Sequence, residues 1–536
     1  MGNAVSGEED FLFSSIKSGT VYGLGSYLVE VEINVSSGLP CFVMVGSLGN
    51  EVRESAERVR VALKNMDISI PPARVTVNLS PADIRKQGTG FDLAIALGML
   101  INMELIPPDC LKDTLVLGEL GLNGEIKRVN GVMPIVYEGK LNGIKKFIIP
   151  EDNVHEASLI EGVRILGASD LGQLKNYCNE SREDVRPFSK DSQGIFIIDD
   201  TGLQTHVIKK SKKMHPKAET LDFADIAGQE VLIRGALIAA AGNHHMLITG
   251  PPGTGKTMIA KRMPGILPPL SDAERMEVTR IYSIAGKLRD YDPRVLERPF
   301  VSPHHAATVN SISGGGTVPR PGALSLAHKG VLFLDELPEF DRDVIEILRE
   351  PLEEKCINIS RVTGNFKYPA DIMLVAAMNP CPCGYFPDMN RCTCTPQMIK
   401  RYLGHISGPI LDRIDICLTA QKMKISELKK KENGTPSAVL REKVLMARKI
   451  QSDRYKGLNI TCNSELGVKD IDRFCALGKA ESEMAERMCD KLDISARAYH
   501  RMLRVARTIA DLDDSRDIGI KHLSEALCYR PQLPEI

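Results

Sequence analysis

The 536-residue sequence contains no run of 18 uninterrupted apolar residues, the length a membrane-crossing helix needs. Its nearest approach, Phe91 to Ile106, is broken by Asp92, Asn102 and Glu104, so no membrane span is expected. The chain also lacks a charge bias: 68 Lys and Arg stand against 69 Asp and Glu, a formal charge of -1. Any grip on nucleic acid must therefore come from a local patch rather than from the bulk field. The opening Met-Gly-Asn-Ala-Val-Ser-Gly-Glu-Glu-Asp has neither the basic start nor the apolar stretch of a secretory leader, and a cytoplasmic location is expected. No repeat of fixed period occurs, which excludes a solenoid. The 13 cysteines are odd in number and mostly scattered, which suits reduced thiols better than a disulfide framework.

What is present is the balance of a globular protein, 43% apolar and 26% charged. At about 150 residues per domain, the length suggests three to four domains. From Tyr22 to Val45 apolar and polar residues alternate with a period near two, the mark of half-buried strands. Val52, Ala56, Val59 and Leu63 then recur at helical spacing. Further strands at Val75 to Leu79, Leu115 to Leu117 and Phe147 to Ile149, with an apolar helix from about Phe91, give an α+β domain over residues 1–175. Residues 176–215, polar and then rich in lysine, read as a linker despite the short apolar run Phe196 to Ile198. Over residues 216–425, apolar strands (Met246 to Thr249, Val331 to Leu334, Ile372 to Ala376) alternate with helices, as in a parallel sheet with crossovers. Residues 426–536 carry only helical periodicity. The fold class is thus multidomain α/β, with a helical C-terminal domain.

Gly250-Pro251-Pro252-Gly253-Thr254-Gly255-Lys256-Thr257 follows one of these strands and opens a helix, the context a P-loop requires. Its glycines let backbone N–H groups curl round phosphates, Lys256 reaches the β and γ oxygens, and the Thr257 hydroxyl can ligate Mg²⁺. Val331 to Leu334 ends in Asp335 and Glu336, at the sheet edge where ligands bind. Asp335 suits the metal shell, and Glu336 suits polarising the water that attacks the γ-phosphate. ATP and Mg²⁺ are the expected cofactors. The third strand ends in Asn379, an amide placed to orient that water.

This arrangement resembles an AAA+ ATPase, with Asn379 in the sensor-1 place. In Leu411-Asp412-Arg413-Ile414-Asp415, Arg413 is similar to the finger supplied to a neighbour's nucleotide, and Ser495-Ala496-Arg497 resembles sensor 2. A ring of six copies is implied. Together with the segments Gly322 to Leu337 and Ile406 to Asp415, the chain resembles the ComM/YifB group of magnesium-chelatase-like AAA+ proteins along nearly its whole length. That resemblance implies a DNA motor driving branch migration during recombination and natural transformation, with single-stranded and branched DNA and recombination proteins as partners. A chelatase-type subunit remodelling a protein partner is the alternative, although the chain lacks a DxSxS metal-ion adhesion motif. By the same resemblance the first domain is similar to the Lon protease fold (ribosomal S5 domain 2-like), the second to the AAA+ αβα sandwich and the third to a helical lid. Lon chemistry needs a serine activated by lysine. Here the corresponding segment, Lys86 to Leu97, holds no serine, and Met133 occupies the lysine place, so an inactive copy is expected.

Two loops qualify for DNA contact. Ser313 to Gly322, with Arg320, resembles the helix-2 insert of this clade. Ile357 to Tyr368 reads as a hairpin carrying Arg361 and Lys367. Cys381, Cys383, Cys392 and Cys394, in an insert spanning residues 381–394, suit tetrahedral Zn²⁺, although the one-residue spacing departs from the commoner ribbon and leaves reduced structural cysteines open. His244-His245 and His304-His305 read as structural, because neighbours on a strand face opposite ways. Arg501 and Arg504 read as solvated or interdomain contacts.

Overall fold

The computed structural model describes residues 12–179, 196–198, 221–226, 228–288, 295, 297–316, 319–361, 364–422 and 434–530. The chain divides into two compact units: residues 1–214 with 275–295 and 317–320, and residues 215–274, 296–316 and 321–536.

The first unit is built on an eight-stranded sheet: β1 (Leu12–Tyr22), β2 (Gly25–Ser36), β3 (Cys41–Val45), β4 (Arg74–Ser80), β5 (Thr114–Val116), β6 (Lys146–Pro150), β7 (Arg164–Ala168) and β8 (Phe196–Ile198). Its order is β8-β7-β6-β5-β1-β2-β4-β3. The alternation read between Tyr22 and Val45 is β2 and β3. Val29, Val31 and Ile33 point into the core, and the residues between them are less buried. One core cluster includes these side chains with Val59 and Leu63 of α1 (Ser55–Asn65) and most of α2 (Asp92–Asn102). A second cluster includes Val132, Ile135 and Val136 of α3 (Val132–Leu141). The boundary expected at residue 175 is not where the fold ends. Phe196–Ile198, read as part of a linker, instead pairs antiparallel with β7, Phe196 opposite Gly167. Three apolar residues, two of them β-branched, suffice for an edge strand.

The second unit carries a five-stranded parallel sheet, β9 (Met246–Thr249), β10 (Phe300–Val301), β11 (Val331–Leu334), β14 (Met373–Met378) and β15 (Ile416–Thr419), in the order β10-β11-β14-β9-β15. Between β11 and β14 lies the hairpin of β12 (Cys356–Arg361) and β13 (Gly364–Pro369), as expected from the sequence. Its Thr363 lies outside the described residues. The C-terminal helices are α4 (Ser437–Arg454), α5 (Val468–Phe474), α6 (Lys479–Lys491), α7 (Ala496–Leu512) and α8 (Ile520–Cys528). They pack onto the sheet within the same compact unit. Leu440, Val444, Leu503 and Ala506 share one core with Met246, Ile248 and Val375 of the sheet.

A buried polar network ties that lid to the sheet. Asp511, fully buried, accepts from Arg454 at 3.0 Å, Arg507 at 3.1 Å and Asn463 at 2.9 Å. His244 lies 3.0 Å from Asp415 and 2.8 Å from Thr508. Asp511→Ala leaves the buried Arg507 and the half-buried Arg454 guanidinium groups without their shared carboxylate and should cost about 3–5 kcal/mol in urea unfolding. Burial alone would raise the pKa of Asp415. The hydrogen bond from His244 and the charges of His244, Arg504 and His245 outweigh it and hold the carboxyl below the usual range. A carboxyl depressed in the folded state stabilises above its unfolded pKa, near 4, and loses that contribution as pH falls further. Asp415→Asn should therefore flatten the acid limb of the stability curve below about pH 4.

Candidate nucleotide site

The P-loop leaves β9 and enters helix Lys256–Ile266. Gly253 and Gly255 have φ of 75° and 85°, conformations that L side chains rarely adopt. Gly250 runs so close to β15 that a Cβ would stand 2.6 Å from the Ala420 carbonyl oxygen. Backbone N–H groups at a helix start, held by such a loop, form an anion cradle. The Lys256 ammonium donates to Gly250 O at 2.6 Å, Pro251 O at 3.1 Å and Asn379 Oδ1 at 3.0 Å. Burial lowers its pKa, while Asp335 and Glu336 oppose the shift. Thr254 is buried, its hydroxyl donating to Pro251 O at 2.9 Å.

Asp335 ends β11 and accepts from the Thr257 hydroxyl at 2.9 Å. A hydroxyl and a carboxylate this close are the hard oxygen donors that Mg²⁺ takes. Glu336 adopts φ 54°, ψ 48°, a left-handed conformation costing about 1–2 kcal/mol that sheet and loop must hold. The structure thus brings together Lys256, Thr257, Asp335, Glu336 and Asn379.

One residue read as structural belongs here instead. His305 Nδ1 lies 3.6 Å from Glu336 Oε2, and its ring lies against that of His304, tilted by 35° with centroids 4.1 Å apart. Only topology reveals it: β10 neighbours β11, so the loop after β10 opens at the same sheet edge as Glu336. His244 and His245 are structural as expected, both held within the network under the sheet.

Arg413 and Arg497 stand elsewhere. Arg413 precedes β15, whose Ile416 pairs with Met246 and whose Thr419 pairs with Thr249 at the P-loop end. Strand length therefore separates Arg413 from its own P-loop, at the opposite edge of the sheet. Its Nη2 is 2.6 Å from Glu353 Oε1, and Arg497 Nη2 is 3.9 Å from the same oxygen. Arg501 is buried and donates to Leu411 O at 2.7 Å and Ile414 O at 2.9 Å, bracing the turn that presents Arg413. Arg504 donates to Ser464 O at 2.8 Å, a contact within the lid.

The four thiols converge, all within 4.8 Å of one another. Cys381 and Cys383 are 3.4 Å apart, Cys383 and Cys392 3.6 Å, Cys381 and Cys392 3.8 Å. A tetrahedral site with bonds of about 2.3 Å has sulfur–sulfur edges of about 3.8 Å. Backbone N–H groups of Cys383 and Phe386 point at Cys394 and Cys381, 3.4 Å in each case. That of Tyr385 leads the causes that bring the Cys383 thiol down to about 6. The set fits a closed tetrathiolate site.

In the first unit, a cavity of about 250 Å³ is lined by Thr89, Gly90, Asn130, Gly131 and Arg320 among others, but by neither serine nor lysine. The Thr89 hydroxyl bonds the Glu119 carboxylate. Met133 occupies the expected lysine position and is buried. Arg320, which also lines this cavity, is exposed, as are Arg361 and Lys367 on the hairpin.

Three family models match in succession: subunit ChlI of Mg-chelatase over residues 31–153, magnesium chelatase subunit ChlI over 222–428 and its C-terminal part over 434–530. The competence protein ComM of Haemophilus influenzae is 40% identical over 509 residues, 95% of each chain. The chain belongs to the ComM/YifB family of magnesium-chelatase-like AAA+ proteins. YifB of Escherichia coli is 38% identical over 96% of this chain and 97% of its own length. Lon protease 2 of Bacillus subtilis is 28% identical over 180 residues, 29% of this chain and 32% of its own. The family carries the AAA+ ATPase fold and implies nucleotide and Mg²⁺ at the site described. Among the described residues no helix is long and apolar enough to cross a membrane.

Proposed function

We propose that this protein is an ATP-hydrolysing DNA motor working in the cytoplasm as a ring of six copies, driving branch migration when single-stranded DNA recombines during natural transformation. The observation that carries the reading is the placement of Arg413 at the sheet edge opposite the P-loop, so that the site is completed only by a second copy. Bound Mg-ATP supplies the scissile phosphoanhydride and the charge neutralisation that goes with it. Thr257 and Asp335 would hold the metal, Lys256 would turn from the loop carbonyls to the phosphate oxygens, and Asn379 would orient the water. Glu336 accepts that water's proton, with His305 beside it. Arg413 of the adjacent copy, with Arg497 next to it, meets the charge that develops on the γ-phosphoryl oxygens. Recombination proteins are the partners such a motor would serve.

DNA contact is assigned to the hairpin. Ile357, Ile359, Phe366 and Tyr368 bury one face, leaving Arg361 and Lys367 exposed. Arg361 also donates to Asn310 at 3.2 Å, on the short helix Val309–Ser313 that leads into the Ser313 to Gly322 loop. Reversing both charges should weaken single-stranded DNA binding and reduce the log–log salt slope by about one for each phosphate left without its cation. Unchanged affinity and slope would remove the hairpin from the interface. ATPase activity raised by unfolded protein but indifferent to DNA would favour the chelatase-type remodelling role.

Zn²⁺ is assigned to Cys381, Cys383, Cys392 and Cys394. Protein purified without chelator should carry about one zinc per chain, and Cys392→Ser should lose it; less than about 0.2 per chain in the wild type contradicts the assignment.

A further inference from the structure

The ion pair that holds Arg413 lies on the element that leads into the hairpin. Glu353 is the fifth residue of the short helix Arg349–Glu354, Lys355 caps it at φ 56°, and β12 begins at the next residue. A second contact joins the same helix to the hairpin: Asn358 on β12 donates to Glu350 Oε1 at 2.5 Å. Behind the hairpin, Lys355 and Asp371 flank its two ends and pair at 3.5 Å, and Lys355 also meets Glu465 of the lid. A displacement of β12 therefore carries the helix and Glu353 with it. Glu353 is 46% exposed while Arg413 is 14% exposed and also donates to Pro409 O at 2.6 Å, so the carboxylate is the solvent-facing half of the pair and the half that can move away.

Arg413 is thus engaged within its own protomer, 2.6 Å from Glu353. It cannot meet a neighbour's phosphate without leaving that carboxylate. We propose that Glu353 is a positioning residue that withholds Arg413, and Arg497 with it, from the adjacent copy until DNA on the hairpin displaces the helix Arg349–Glu354. Hydrolysis in one copy is thereby made conditional on DNA held by the next. The inference rests on the ring and finger reading above and adds the residue that couples it to DNA.

The test uses the full-length protein: steady-state ATPase with and without a single-stranded oligonucleotide, and oligonucleotide affinity, for wild type, Glu353→Gln, Glu353→Asp and Arg413→Ala. Glu353→Gln should raise the DNA-free rate about fivefold, the effect of releasing one partly exposed ion pair, and bring the DNA stimulation ratio toward one at unchanged DNA affinity. Glu353→Asp, which keeps the charge, should retain stimulation. A purely structural role predicts instead a fall in both rates, and that result would overturn the proposal. So would a Glu353→Gln protein whose DNA-free rate and stimulation match the wild type while Arg413→Ala is inactive, which leaves the finger standing and removes only the coupling. Full turnover by Arg413→Ala would remove the finger itself, and this inference with it.

Discussion

Glu336→Gln should lower ATP turnover by about 10²–10⁴ while leaving nucleotide affinity close to that of the wild type. The substitution keeps shape and removes only the ability to accept a proton. In the proposed site, nucleotide binding would rest on the loop N–H groups and Lys256, and metal binding on Thr257 and Asp335, whose contacts do not involve Glu336. Lys256→Ala should separate from it by losing affinity as well. The pair of measurements, turnover and nucleotide affinity, assigns each residue to chemistry or to binding. A Glu336→Gln protein with wild-type turnover would place the base elsewhere.

Arg413→Ala should cost about 10³–10⁵ in turnover, the range for a finger that meets developing phosphoryl charge. Its placement makes a sharper demand. Because Arg413 stands at the opposite edge of the sheet from its own P-loop, Arg413→Ala and Glu336→Gln would damage different halves of the proposed shared site. Mixing the two inactive variants should restore part of the activity, as some interfaces then combine an intact Glu336 with an intact Arg413. Two inactive proteins that stay inactive when mixed would contradict a shared site.

The P-loop and Asp335-Glu336 were legible because each motif is contiguous and sits between a strand and the element it needs. Gly253, Gly255, Lys256 and Asp335 are local chemistry on a predictable edge. Asn379 was legible for the same reason, as the residue that follows a strand. His305 was not, because its role depends on β10 lying next to β11, a pairing between residues about 30 positions apart that no periodicity encodes. Glu353 was hidden differently. In the sequence it is one acid among several in Arg-Glu-Pro-Leu-Glu-Glu, and only the turn before β15 brings Arg413 to it. The domain boundaries failed at Phe196–Ile198 because a three-residue edge strand carries too little pattern to stand out from polar surroundings. Helical periodicity in the lid shows which face is apolar and not what covers it; the cover is the parallel sheet.

The proposed motor couples hydrolysis at this site to movement of DNA. The most direct measurement is ATP-dependent migration of a labelled three-strand DNA junction by the purified protein, beside Glu336→Gln and a reaction without ATP. A motor of this kind releases strands as wild type with ATP and releases none in either control. ATP hydrolysis that neither moves the junction nor responds to DNA would contradict it.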